Sequence, residues 1–131
     1  MGRKLPWPEI IVSAIVLALG VSVYAYAHRH EDELEESKNR GALIVSGLDR
    51  YFIENGTYPE QLSELVPTHI AAIEPPAWGL ERWRYRRYVP QHADETEDTS
   101  SVYFQLSVAA DESGYPVLYY DFATRRWVLN N

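Results

Sequence analysis

The stretch Ile10–Ala27, IIVSAIVLALGVSVYAYA, contains eighteen consecutive residues without a charge. A helix of this length extends about 27 Å, which is enough to cross the hydrocarbon core of a bilayer. Arg3 and Lys4 precede the stretch, and five acidic residues follow it within Glu31–Glu36. Because basic residues stay on the cytoplasmic side of a membrane, we predict a transmembrane helix over 10–27 with residues 1–9 in the cytoplasm and the rest outside.

Two other interpretations of the apolar stretch compete with a membrane anchor. A secretory signal peptide has a basic start and an apolar middle, and Ala25-Tyr26-Ala27 is similar to a cleavage site with small residues. A buried core helix is the second alternative, but a small domain cannot surround a segment that is apolar on every side. An uncleaved or pilin-type anchor is therefore the favoured interpretation.

Charge and composition restrict the partners of the part outside the membrane. Removing Arg3, Lys4 and Glu9 from the 12 basic and 19 acidic residues leaves 10 and 18, a net charge of −8 over residues 28–131. This balance disfavours nucleic acid and anionic lipid headgroups, which both bind basic surfaces. The chain has no cysteine, which excludes disulfides and thiolate metal sites.

The anchor is predicted to continue as one helix from Pro8 to Asn55. Pro8 and Glu9 suit a first helical turn, and Asn55-Gly56 followed by Pro59 is a stop signal. The apolar positions between them recur at helical spacing, and they are Leu34, Gly41, Val45, Leu48 and Phe52. Residues 28–40 are predicted to form a polar helical stalk, followed by an α+β domain over 41–131.

Beyond the helix, the pattern predicts a short helical turn and then strands. Pro59–Pro67 reads as the turn, with Leu62, Leu65 and Val66 facing inward. Period-two alternation predicts strands at Arg82–Arg86, Val102–Val108, Val117–Asp121 and Arg126–Leu129, with a polar loop at Gln91–Ser101. We therefore predict an α+β fold with a long N-terminal helix whose outer half packs on a three- to four-stranded antiparallel meander.

The alternation also predicts which side chains face the helix. The inner face of the sheet is expected to pack against Val45, Leu48 and Phe52. Its residues are Trp83, Tyr85, Val102, Phe104, Leu106 and Val108.

Arg82, Arg84 and Arg86 then lie on the opposite face of the first strand, where they form a positive stripe on an acidic domain. The stripe either pairs with the chain's own Asp94–Asp98 segment or binds an acidic partner, such as Glu31–Glu36 of a neighbouring copy. The two interpretations have comparable support from the sequence.

The stretch Leu48–Pro59, LDRYFIENGTYP, and the Leu62, Leu65 and Val66-Pro67 positions after it resemble type II secretion pseudopilins and type IV pilins. The first helix of those proteins ends at an NGxYP turn that a short leucine-bearing segment follows. Trp78-Gly79 and Trp83-Arg84-Tyr85 are similar to the family's aromatic lead into the sheet.

The resemblance implies a non-enzymatic, pilin-like subunit of the bacterial inner membrane, with its α+β domain in the periplasm. Its implied partners are the lipid bilayer and other pilin-like or secretion-system subunits, including further copies of the chain. Glu9 resembles the pilin glutamate, and Gly20 lies in the segment used for assembly. Alignment on Glu9 places Lys4 where the family has the glycine before the cut, so we expect no cleavage there. The alternative is a monomeric accessory or binding subunit that keeps its anchor permanently.

No catalytic constellation is visible in the sequence, and no cofactor is expected. Ser46 and Ser107 have no plausible general base, and His69 and His92 lack partners at ligand spacing. His28 and His30, beside Glu31 and Asp32, could bind a metal or sense pH, but a solvated juxtamembrane collar is the simpler interpretation.

An acidic cluster offers oxygen ligands for calcium, which pseudopilins often carry in the sheet region. The candidates are Asp94, Glu95, Glu97 and Asp98. Because the spacing is not that of an EF-hand, a solvated acidic loop is the favoured interpretation.

Overall fold

The computed structural model describes residues 7–89 and 102–130, which form one long helix followed by a four-stranded antiparallel sheet. The elements are helix α1 (Trp7–Asn55), a 3₁₀ turn (Leu62–Leu65), β1 (Arg84–Tyr88), β2 (Tyr103–Ala109), β3 (Val117–Asp121) and β4 (Arg126–Asn130). The strands lie in the order β1-β2-β3-β4, so each pairs with its neighbour in sequence. The predicted α+β class is therefore confirmed.

The chain divides into two compact units, Met1–Glu33 and Leu34–Asn131. The described part of the first unit is helical throughout. The second unit contains the remainder of α1 together with the 3₁₀ turn and the sheet.

The core of the second unit lies between α1 and one face of the sheet. Ile44, Val45 and Leu48 supply the helix side of this core. The sheet and the loops supply the rest, namely Tyr58, Leu65, Ile70, Trp78, Trp83, Phe104, Leu106, Val108, Leu118 and Tyr120. Full burial of one such side chain contributes about 1.5–3 kcal/mol, so this contact holds the sheet on the helix.

Phe104 is the centre of an aromatic cluster in this core and is 2% exposed. Its ring centroid lies 4.9 Å from that of Tyr58, 5.8 Å from Tyr120 and 5.3 Å from Phe122. The inward direction predicted for Trp83, Phe104, Leu106 and Val108 is confirmed, while Tyr85, Val102 and Phe52 are half-buried at the margin.

Two details of the predicted strand and turn are wrong. The first strand runs over Arg84–Tyr88 instead of Arg82–Arg86. The reason is that the carbonyl of Ala109, at the end of β2, accepts a hydrogen bond from Leu80 N–H (2.9 Å) and is not free to pair with an earlier start of β1. Val66, expected to face inward, is 37% exposed, since the 3₁₀ turn ends at Leu65 and the chain becomes extended.

Residues 28–40, predicted to form a polar helical stalk, include one fully buried side chain, that of Ser37. Its Oγ accepts hydrogen bonds from the backbone N–H groups of Ala77 (3.0 Å) and Trp78 (2.8 Å). One turn further, Gly41 is buried against the Trp127 ring, and a Cβ at this position would lie 2.2 Å from Cζ2 of that ring. Packing of the second unit therefore begins well before residue 41.

Candidate functional site

The N-terminal part of α1 is the only segment in the described part of the chain that is long and apolar enough to span a membrane. Its large side chains are exposed, from Trp7 and Ile10 to Tyr24 and Tyr26. A surface of this kind in water would be strongly unfavourable. The segment is therefore a candidate membrane span.

The two predicted assembly residues both lie in the first part of α1. Glu9 is exposed in the first turn of α1, where a carboxylate is favoured by the positive end of the helix dipole. Gly20 is also exposed, and a Cβ placed on it would meet no atom within 4 Å. Neither residue contributes to packing within the chain.

The structure brings Arg82, Arg84 and Arg86 together on the surface as the alternation predicts. All three are exposed, while Trp83 between them is buried and Tyr85 is half-buried. The indole N–H of Trp83 donates to the carbonyl of Glu74 (2.8 Å), so this part of the chain is fixed from the inner side.

Tyr85 anchors the same strand to the segment after α1. Its hydroxyl donates to the carbonyl of Pro59 (2.8 Å), and burial raises the pKa of Tyr85 well above its usual range. The phenol is therefore neutral at any physiological pH, and it orients β1 so that Arg84 and Arg86 face away from the core.

Two cavities lie on either side of Arg84. The first, about 740 Å³, is lined by Leu80, Glu81, Arg82, Arg84 and Glu112. The second, about 650 Å³, covers the outer face of the sheet, and its lining includes Arg84, Arg86, Gln105 and Ser107. Both are open and polar, which suits a protein contact better than an enclosed small-molecule site.

Aromatic residues extend this surface toward the end of β1. The rings of Tyr88 and Tyr103 are stacked across the two strands, with centroids 4.7 Å apart and planes 11° from parallel. The guanidinium carbon of Arg86 lies 6.0 Å from the Tyr88 ring centroid, and the Tyr88 hydroxyl donates to Gln105 Oε1 (3.3 Å). We call Arg82, Arg84, Arg86, Tyr88 and Tyr103 the arginine–tyrosine surface.

Arg82, Arg84 and Arg86 make no carboxylate contact within residues 7–89 and 102–130, in contrast to Arg40, Arg87 and Arg125. Arg40 lies 2.8 Å from Glu36, and Arg125 lies 2.6 Å from Asp49. Arg87 lies 2.9 Å from Glu60 and also donates to the carbonyl of Tyr58 (3.0 Å).

The pairing of Arg87 was not predicted from the sequence. Its position one residue after Arg86 does indicate the opposite face of the strand, but Glu60 lies 27 residues earlier.

The acidic segment Glu31–Glu36 is partly engaged in local ion pairs. Glu35 lies 2.5 Å from Lys38 and Glu36 lies 2.8 Å from Arg40, at i,i+3 and i,i+4 spacing on the helix. Glu31 lies 3.8 Å from His28. The segment therefore has fewer unpaired carboxylates to offer a neighbouring copy than its sequence indicates.

The histidines of this region stack on tyrosines one turn earlier. The rings of Tyr24 and His28 have centroids 4.2 Å apart, and those of Tyr26 and His30 have centroids 4.4 Å apart. No group of three or more histidine, aspartate or glutamate side chains that could hold a metal occurs within the described ranges. The weak calcium candidates Asp94, Glu95, Glu97 and Asp98, like His92, lie outside the described residues.

His69 has a partner that the spacing in the sequence did not reveal. Its Nε2 lies 2.8 Å from a carboxylate oxygen of Glu54, near the end of α1, although 15 residues separate the two. The imidazole is 8% exposed, and its ring centroid lies 5.2 Å from that of Tyr51. This contact joins the loop after the 3₁₀ turn to the last turns of the helix.

Among the described residues, neither Ser46 nor Ser107 has a general base within hydrogen-bond reach. Ser46 is exposed on α1, and Ser107 is buried on β2 opposite Arg84. A nucleophilic serine requires a base within hydrogen-bond reach.

Comparison with known proteins identified no matching family model, no matching curated protein and no matching solved structure.

Proposed function

We propose that this chain is a membrane-anchored, pseudopilin-like component of a type II secretion or type IV pilus-like system. It acts by assembly and protein–protein contact, without catalysis. The observation that carries the proposal is helix α1, 49 residues long, whose first part is apolar and exposed and whose last part packs under an antiparallel sheet. The LDRYFIENGTYP stretch at the end of this helix adds the resemblance described above.

The proposed location is the bacterial inner membrane, crossed once, with the N-terminus in the cytoplasm and the sheet domain in the periplasm. The direction rests on Arg3 and Lys4 before the span and on the acidic residues after it. The absence of cysteine is compatible with either compartment, since no disulfide is needed for folding.

Within the bilayer, association of the anchors depends on close packing, because lipid is as apolar as the side chains themselves. Ala14, Ala18 and Ser22 lie four residues apart on one face of α1, and small residues of this kind let helices approach closely. Ser22 Oγ donates to the carbonyl of Ala18 (2.8 Å), so its hydroxyl is satisfied within the helix.

Single-cysteine crosslinking in native membranes tests the proposal directly, since the chain has no cysteine of its own. We expect Ala14→Cys and Ala18→Cys to form crosslinks with neighbouring subunits or copies. Val16→Cys, on the opposite face of the same helix, is the matched control and should crosslink much less. Equal crosslinking at all three positions, or none at any, would contradict assembly through this helix.

A permanently anchored monomeric accessory or binding subunit is the second candidate. It is favoured by Lys4, Leu5 and Pro6, which occupy the positions of a prepilin cleavage site without matching it. Intact-mass measurement of the protein extracted from membranes separates the two candidates. A mature chain beginning at Leu5 supports the assembling pseudopilin, whereas an intact N-terminus together with absent crosslinks supports the accessory subunit.

A further inference from the structure

Strand β1 is an edge strand of the sheet as far as the described residues show. It pairs with β2 from Arg84 opposite Ser107 to Tyr88 opposite Tyr103, and the strand order places no described strand on its other side. In an antiparallel pair, alternate residues direct their N–H and C=O groups away from the partner. β1 therefore presents a row of backbone donors and acceptors to which another extended chain can pair.

The side chains of this edge strand favour a negatively charged partner. Arg84 and Arg86 lie on the same face, and residues two apart on a strand are separated by about 7 Å. An extended peptide has the same repeat, so carboxylates at its alternate positions come into register with both guanidinium groups. Side chains one turn apart on a helix are about 5–6 Å apart and match this spacing less well.

The same charges oppose pairing between two copies of β1. In such a pair, arginines would face arginines across the new interface, and like charges directly opposite are destabilising. An acidic strand meets no such penalty. On a chain with a net charge of −7, Arg84 and Arg86 lie side by side on this edge without a carboxylate contact among the described residues, which favours an acidic partner.

We propose that β1 binds an extended acidic segment of a partner protein by strand addition, with carboxylates at alternate positions contacting Arg84 and Arg86. Tyr88 supplies an aromatic contact at the end of the strand. The inference rests on the contact function proposed above and names the chemistry of the partner. It does not depend on crosslinking along α1, so the two can fail separately.

Fluorescence anisotropy with the full chain in phosphatidylcholine nanodiscs tests the proposal. The first labelled peptide carries glutamate at three alternate positions among threonine and valine. The second has the same composition with three consecutive glutamates, and the third is the alternating peptide with N-methylated backbone amides. We expect the alternating peptide to bind most tightly, with an affinity that falls as salt is raised.

R84E/R86E should weaken this binding by about tenfold or more, because two favourable pairs become repulsive. R126E is the matched control, since Arg126 is an exposed arginine on the same face at the far edge, and it should leave binding unchanged. A peptide with lysine at the alternate positions should bind R84E/R86E in preference to the wild type. Circular dichroism verifies that each variant is folded.

Three results would overturn the inference. If the N-methylated peptide binds as tightly as the alternating peptide, the attraction is electrostatic and involves no strand pairing. If the peptide with consecutive glutamates binds as tightly, the alternate spacing of the carboxylates is not recognised. Absence of binding up to about 1 mM would leave the arginines as charges that protect the edge from self-pairing. In that last case R84T/R86T should self-associate while the wild type does not.

Discussion

Replacing Ser37 with alanine is expected to destabilise the sheet domain far more than its small change in volume indicates. The hydroxyl oxygen accepts two backbone hydrogen bonds, from Ala77 N (3.0 Å) and Trp78 N (2.8 Å), at a fully buried position on α1. Alanine fills the space of the methylene but leaves both N–H groups without their acceptor. The loop carrying the buried Trp78 ring is thereby released from the helix.

The magnitude follows from the cost of unpaired buried donors, about 1–3 kcal/mol each. The Trp78 amide is buried and the Ala77 amide is only partly buried, so their sum is about 3–4 kcal/mol. Alanine regains about 0.5 kcal/mol through its higher helix propensity. A net loss of about 2.5–3.5 kcal/mol in the free energy of unfolding is therefore expected.

Urea unfolding of the full chain in detergent, followed by tryptophan fluorescence, measures this loss. Ser46→Ala is the control, because Ser46 lies on the same helix but is exposed, and it should change stability by no more than about 0.5 kcal/mol. Hydrogen exchange at the Trp78 amide should accelerate in Ser37→Ala beyond the global change. If Ser37→Ala and Ser46→Ala have equal stability, water satisfies the two amides and the reasoning is refuted.

Four further predictions concern the core, the helix packing, pH and topology. Phe104→Ala should cost about 3–5 kcal/mol in the same assay, and a loss below about 1 kcal/mol would place the ring outside the core. Gly41→Ala should lower the unfolding midpoint despite better helix propensity, since the added methyl meets Trp127, whereas an unchanged midpoint would show that the ring moves aside freely. Burial raises the pKa of Tyr85 in the folded state, so the stability that this residue contributes is complete below the unfolded pKa of about 10 and is lost as pH rises above it. Tyr85→Phe should therefore reduce the loss of stability at alkaline pH, and identical profiles of stability against pH for the two proteins would contradict this. Protease outside spheroplasts should digest residues 28–131, and digestion only after lysis would reverse the orientation.

Periodicity in the sequence was sufficient to predict the helix, the sheet and the inner-face residues. The apolar residues recur at helical spacing in α1 and at alternate positions in β2. Few arrangements other than a helix packed on a sheet would bury both sets together. The start of β1 was not predictable in the same way. The start of β1 depends on which backbone N–H group reaches the Ala109 carbonyl. That donor is Leu80, and no side-chain pattern in the sequence indicates this hydrogen bond.

The contacts between distant parts of the sequence were missed for a related reason. Ser37 lies in a polar run, and nothing local distinguishes it from its exposed neighbours, because its bonding partners are 40 and 41 residues away. His69 and Glu54 are likewise joined only when the loop folds back on α1. Hydrogen bonds of this kind carry no periodic signal, so only the folded chain reveals them.

The charges of the domain allow the two proposed types of contact to be distinguished by ionic strength. Copies of the chain each carry a net charge of −8 over residues 28–131, so they repel one another, and salt should screen that repulsion and favour assembly. An acidic segment on Arg84 and Arg86 is held by attraction, which salt should weaken. Arg87 cannot contribute to this attraction while it is bound to Glu60 on the inner side of the strand. An interaction that strengthens with salt therefore belongs to packing of the helices, and one that weakens belongs to the arginine–tyrosine surface.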